Sequence, residues 1–132
     1  INTDAYAKAN NLGEAVVVWT NGTYPNLSIQ ASIYDGSTWS SFATISDSGT
    51  HVGPVADIDS AGNVVALWET IDGNDRIIKA VSKASGSSWG SPQVLSTSSN
   101  NSYLSVASNS DGETVAGWID LANDTVQVAT LS

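Results

Sequence analysis

The sequence contains no cysteine and no methionine, a single histidine (His51), a single phenylalanine (Phe42) and four basic residues in 132. Without cysteine there are no disulfides, no thiol catalysis and no thiolate-bound metal. One histidine cannot build a multi-histidine metal site within one chain. Thirteen acidic residues against four basic ones leave a net charge of -9. Such a surface repels phosphate backbones and anionic headgroups, so neither nucleic acid nor membrane is an expected partner. No apolar run approaches the roughly 18 residues of a spanning helix. A chain that starts at Ile1 and has no methionine is expected to be a processed product or a piece of a longer one, with no signal peptide left to read. Few lysines, no cysteine and abundant Ser, Asn and Thr suit a secreted or cell-surface protein. The sequons at Asn21, Asn26, Asn100 and Asn123 arise at about the rate this composition gives by chance, and carry no weight.

What is present is a repeat, with a hydrophobic share of 41 % and five tryptophans that argue against disorder. Trp19, Trp68 and Trp118 are 49 and 50 residues apart, and Trp39 and Trp89 are 50 apart. Each tryptophan of the first set closes a similar phrase. These are Leu12-Gly13-Glu14-Ala15-Val16-Val17-Val18-Trp19, Ala61-Gly62-Asn63-Val64-Val65-Ala66-Leu67-Trp68 and Asp111-Gly112-Glu113-Thr114-Val115-Ala116-Gly117-Trp118. Ala31 and Ala80 follow their tryptophans by twelve residues, and Ala129 stands one residue earlier after Trp118. Three repeats result, over about 1–51, 52–101 and 102–132.

Within a repeat, short β-branched runs alternate with turn residues. The second repeat reads as strands near Pro54–Asp59, Val64 to about Thr70, Arg76–Lys83 and Pro92–Ser96. The third repeat ends before a counterpart of the fourth strand, which gives eleven strands in all. No window holds a 3.6-residue apolar period, so the chain is expected to be all-β. Four antiparallel strands per unit of 40–50 residues are the pattern of a β-propeller blade, here about two and a half blades. Val64-Val65-Ala66-Leu67, apolar on both faces, suits a strand enclosed between neighbouring blades. A β-sandwich of immunoglobulin type is the alternative, but it does not call for a fifty-residue echo. Since propellers have four to eight blades, the repeats are expected either to continue in a longer array or to close a ring as a homo-oligomer.

Ile29-Gln30-Ala31-Ser32-Ile33-Tyr34-Asp35-Gly36-Ser37-Thr38-Trp39, together with Ala61-Gly62-Asn63-Val64-Val65-Ala66-Leu67-Trp68, resembles the repeats of bacterial secreted β-propeller proteins. Those repeats run as sAGNavAvW…IqAsxydGsxWsxPvxlS, and the likeness spans the whole chain. It implies fold more than activity. Ser32–Trp39 is also similar to the Asp-box of sialidase propellers, but Tyr34 stands where the defining Asp belongs and Asp35 comes one place late. A fainter likeness, through Tyr34-Asp35-Gly36 before Trp39, is to propeller lectins assembled from short chains.

The chemistry open to these residues is binding rather than catalysis. A sialidase needs an arginine cluster, and the chain has only Arg76. Glycosidase chemistry needs two carboxylates at a set separation. Asp57 and Asp59 share a strand face by alternation, with Glu69 on the next strand, but the loops are short and repetitive, and no enzyme is expected. For carbohydrate, an aromatic platform beside polar acceptors is required. Tyr34, Asp35, Trp39 and Trp89 are the candidates, because Trp39 and Trp89 have less apolar flanks than Trp19 and Trp68. Tyr24 lies near a strand end with Asn21 and Asn26. The competing role for all five tryptophans is packing between repeats. Calcium is the one metal considered, on Asp57 and Asp59 and on Asp72 and Asp75, whose oxygens gather in turns. Asp and Asn also favour turns for their own local hydrogen bonds. His51 is expected in a solvated loop, Asp47–Gly53.

Overall fold

The computed structural model describes residues 1–131. Eleven strands follow one another with no helix among the described residues: β1 (Asn2–Ala9), β2 (Ala15–Thr23), β3 (Asn26–Tyr34), β4 (Ala43–Thr44), β5 (Thr50–Ile58), β6 (Val64–Asp72), β7 (Asp75–Lys83), β8 (Gln93–Val94), β9 (Asn101–Ser108), β10 (Thr114–Asp120) and β11 (Thr125–Leu131). The all-β reading and the strand number hold. β4 and β8 are shorter than expected, two residues each.

The strands form three antiparallel meanders, β1-β2-β3-β4, β5-β6-β7-β8 and β9-β10-β11. A single parallel pair, Leu27 with Thr50, fuses the first two into one eight-stranded sheet. The third is a separate three-stranded sheet, but an equivalent parallel bridge, Arg76 with Asn100, ties it to the second. Leu27 and Arg76 are 49 residues apart, and Thr50 and Asn100 are 50 apart. Neither sheet closes into a barrel among the described residues.

The second meander is covered on both faces. Every residue of β6 from Val64 to Thr70 is buried. Val64, Ala66 and Trp68 point to one side and share a cluster with Val16, Val18, Ile29 and Ala31 of the first meander. Val65 and Leu67 point to the other and share a cluster with Val106, Ala116 and Trp118 of the third. The period of two sends alternate residues to opposite cores, so a continuous apolar run is what this strand requires. Burying one Leu or Val side chain contributes about 1.5–3 kcal/mol. Two cores, one on each face of a middle layer, are more than a two-layer sandwich contains.

Each repeat opens with a bulged strand. Asp4, Gly53 and Tyr103 have φ of 55°, 62° and 60°, one per repeat, each where the pairing register slips. The left-handed residue absorbs the extra position and bends the strand. Pro54 follows Gly53, where its missing N–H interrupts no ladder bond. This bulge hid the start of β5, which begins at Thr50 rather than near Pro54. The register also corrects the third repeat. Val18 pairs with Ala31 and Leu67 with Ala80, but Gly117 pairs with Val128, so Val128 and not Ala129 holds that place. The last hairpin leaves β10 at Asp120, two residues past Trp118, whereas β6 runs four past Trp68.

Candidate functional site

The phrase preceding each tryptophan strand is a hydrogen-bonded turn. Asn10, Asp59 and Asn109 each place Oδ1 on two backbone N–H groups ahead, at 2.9–3.0 Å. Each then meets the side chain four residues on: Asn10 Nδ2 donates to Glu14 (2.8 Å), Asn63 Nδ2 donates to Asp59 (3.1 Å) and Asn109 Nδ2 donates to Glu113 (2.7 Å). Every pair joins one amide to one carboxylate, with the order reversed in the second repeat. Gly13, Gly62 and Gly112 supply φ of 81°, 84° and 83° at the same step. Asn10 Nδ2 also donates to the Asp59 carbonyl (3.0 Å), which links the first repeat to the second.

Asp59 is therefore occupied by its own turn. Asp57 accepts from the Ile58 and Ser108 N–H groups at 2.9 and 2.8 Å and fastens the second meander to the third. Asp72 and Asp75 face each other across an exposed two-residue hairpin. Among the described residues no three His, Asp or Glu side chains gather as a metal site. Glu69 is held by Arg76 (2.8 Å) and Ser102 (3.1 Å). The β5–β6 register sets Asp57 opposite Val65, four residues from Glu69, so the two acids are about 13 Å apart along the strand, and each is held by a different part of β9, at Ser108 and at Ser102.

His51 corrects an expectation. It lies in β5, not in a solvated loop, and is fully buried. Nδ1 is 2.9 Å from Thr70 Oγ1 and Nε2 is 2.9 Å from the Asp47 carbonyl. A carbonyl only accepts, so Nε2 carries the proton and Nδ1 receives the Thr70 hydroxyl. Burial holds the imidazole below its ordinary pKa, against the opposing pull of the Asp47 carbonyl and carboxylate. Asp47 itself is raised by partial burial but lowered more by Lys79, whose Nζ is 2.8 Å away. The signal for this burial was the fifty-residue spacing to Asn101, which is also fully buried.

The aromatic candidates divide. Tyr34 and Trp39 meet with ring centroids 5.2 Å apart, tilted by 41°, and Trp39 is 51 % exposed. Asp35 turns the chain between them by accepting from the Thr38 and Ser37 N–H groups, both at 2.8 Å, and these bonds hold its carboxyl below the usual range. Trp89, the counterpart of Trp39, is half-buried and packs on the core between the first and second meanders. Tyr24 is exposed at the far end of β3 from Tyr34, and takes no part in the corner. The four candidates thus form no single site: Tyr34, Asp35 and Trp39 make one corner, and Trp89 is part of a joint.

No protein-family model matches the chain, and no curated protein matches it.

Proposed function

We propose that the chain is a non-enzymatic module of β-propeller-type repeats, secreted or cell-surface, whose role is to stack with further repeats of its own kind. Each meander is then a blade. The observation that carries this reading is the burial of both faces of β6 beside the open outer faces of the first and third meanders. Trp68 and Trp118 are buried against the preceding meander, while Trp19, which has none before it, is only half-buried. The same residue at the same register is fully buried or only half-buried according to whether a preceding meander is present. The acids considered for chemistry serve turns and joints, which favours a scaffold over a hydrolase.

The test is duplication of the complete repeat, residues 52–101, in place. In a stack of modular units, stability is close to a sum of unit and nearest-neighbour terms. The lengthened chain is expected to fold with one more unit and a higher unfolding midpoint. Failure to fold would contradict modular stacking.

A second reading, carbohydrate recognition, is favoured by the exposed Trp39 ring, which meets the half-buried Tyr34. Stacking on a sugar face needs such a platform. Against it stands Trp89, which shows that this position packs when a neighbour is there. A glycan array decides: a hit lost on Trp39→Ala, with the fold intact, would support recognition.

A further inference from the structure

The two open faces differ, and each is the counterpart of a face already buried inside the chain. Toward the following meander, the first presents Val16, Val18, Ile29 and Ala31, and the second presents Val65, Leu67, Ile78 and Ala80. By register, Val115, Gly117, Val126 and Val128 are the same face of the third meander. No described residue covers them, and Val115, Val126 and Val128 are 52 %, 70 % and 78 % exposed. Ile119 replaces Thr20 and Glu69 at the next position, so this tail is more apolar than either internal one. At the other end, Val17 and Trp19 occupy the places of Ala66 and Trp68, and Phe42 adds a 65 % exposed ring.

We infer that a second copy of this chain docks head to tail, twice, so that each copy's first meander covers the other's third and the pair closes as six units. The joint repeats contacts that the chain already makes. Val18 shares a buried cluster with Trp68, and Leu67 shares one with Trp118. At the third tail Gly117 stands in that place, on a hollow of about 490 Å3 bordered by Val115 and Val128. The missing side chain leaves room for the Trp19 indole of the partner copy. A head-to-tail contact is heterologous and must close or polymerise. Six units lie within the four to eight that propeller rings contain. The contact also buries a contiguous apolar face of a kind that monomers seldom expose.

This inference rests on the repeat reading above. The duplication experiment tests that reading alone, so a chain that accepts an extra repeat yet stays monomeric would sink the docking and leave the reading standing. The direct test is native mass by light scattering after size exclusion at tens of micromolar. The wild type is expected as a discrete dimer. Val128→Glu blocks the tail and Val17→Glu blocks the head. Each is expected as a monomer with unchanged strand signal by circular dichroism. Mixed, the two regain one intact joint and are expected to form one-to-one pairs. A monomeric wild type, an open ladder of sizes, a blocked variant that still dimerises alone, or a mixture that stays monomeric would each overturn the inference. If Val17→Glu unfolds, Phe42→Glu, on an exposed ring of the same face, serves as the head block.

Discussion

His51 and Asn101 occupy the same place in successive repeats, fifty residues apart, and both are fully buried where one meander hands the chain to the next. They solve that position differently. Asn101 Oδ1 accepts from Trp118 Nε1 (3.1 Å) and from Ser98 Oγ (2.8 Å), while Nδ2 donates to the Ser98 and Arg76 carbonyls. His51 bonds Thr70 and Asp47 and packs edge-on to Trp68, with centroids 6.0 Å apart. Trp68 Nε1 is buried without a partner among the described residues.

His51→Asn is therefore expected to stabilise the protein. It would reproduce the third repeat's arrangement, giving Trp68 Nε1 an acceptor and Nδ2 the carbonyls of the preceding turn. Satisfying a buried donor is worth about 1–3 kcal/mol, offset in part by the smaller volume of Asn. Urea denaturation reads it as a higher midpoint at unchanged slope. A lower midpoint at neutral pH would show that the imidazole packing outweighs the lost bond.

The same histidine sets an acid limit. Its folded pKa lies below the ordinary 6.5 because burial disfavours the imidazolium. The unfolded chain then binds the proton more readily than the folded one, so stability rises with pH between the two values. The contribution is complete above about pH 6.5 and is lost as pH falls through the folded pKa. Unfolding midpoints taken from pH 7.5 down to 5 should fall in the wild type and fall less in His51→Asn. Equal slopes in the two proteins would assign the acid sensitivity to the carboxylates.

Most of the architecture was legible because repetition and alternation are properties of the chain itself. The 49- and 50-residue spacing of Trp19, Trp68 and Trp118 fixed three units, and the run Val64–Leu67 marked the enclosed strand. What was missed depended on three dimensions. His51 reads as a loop residue beside Gly49 and Gly53, and only its equivalence to Asn101 shows it to be core. Ala129 matches Ala31 and Ala80 by letter, but the shorter last hairpin puts Val128 in register. Trp39 and Trp89 look alike in sequence and differ because one has a neighbouring meander and the other does not. Asp59, Asp72 and Asp75 were legible as turn-associated, but Asp57 lies within β5 and joins two meanders through the Ser108 N–H, a partner that only the fold supplies.

Calcium is expected to leave stability unchanged. Asp59 spends its oxygens on Ala61, Asn63 and the Asn63 amide, and Asp57 is engaged by Ile58 and Ser108. Asp72 and Asp75 offer two exposed carboxylates, short of the six to eight oxygens calcium takes. The melting temperature should be the same in chelator and in millimolar calcium. A rise of several degrees with calcium would restore these acids as ligands.

The reversed amide and carboxylate in the middle turn give a charge-swap test of the repeat at side-chain level. Asn63→Glu puts a second carboxylate against Asp59, whose oxygens are nearly buried, and removes the Asn63 Nδ2 donor. Loss of a hydrogen bond to a charged group costs about 1–3 kcal/mol, and like-charge contact adds to it at neutral pH. Adding Asp59→Asn recreates the pairs found as Asn10–Glu14 and Asn109–Glu113. The double variant is therefore expected to be markedly more stable than Asn63→Glu alone, even though it carries one more substitution. Urea midpoints of the wild type, both single variants and the double variant close the cycle. A double variant no better than Asn63→Glu would mean that the second turn depends on its own order of charges, held by Asn63 Oδ1 accepting from the Ser85 N–H (3.0 Å), and that the three turns are not interchangeable.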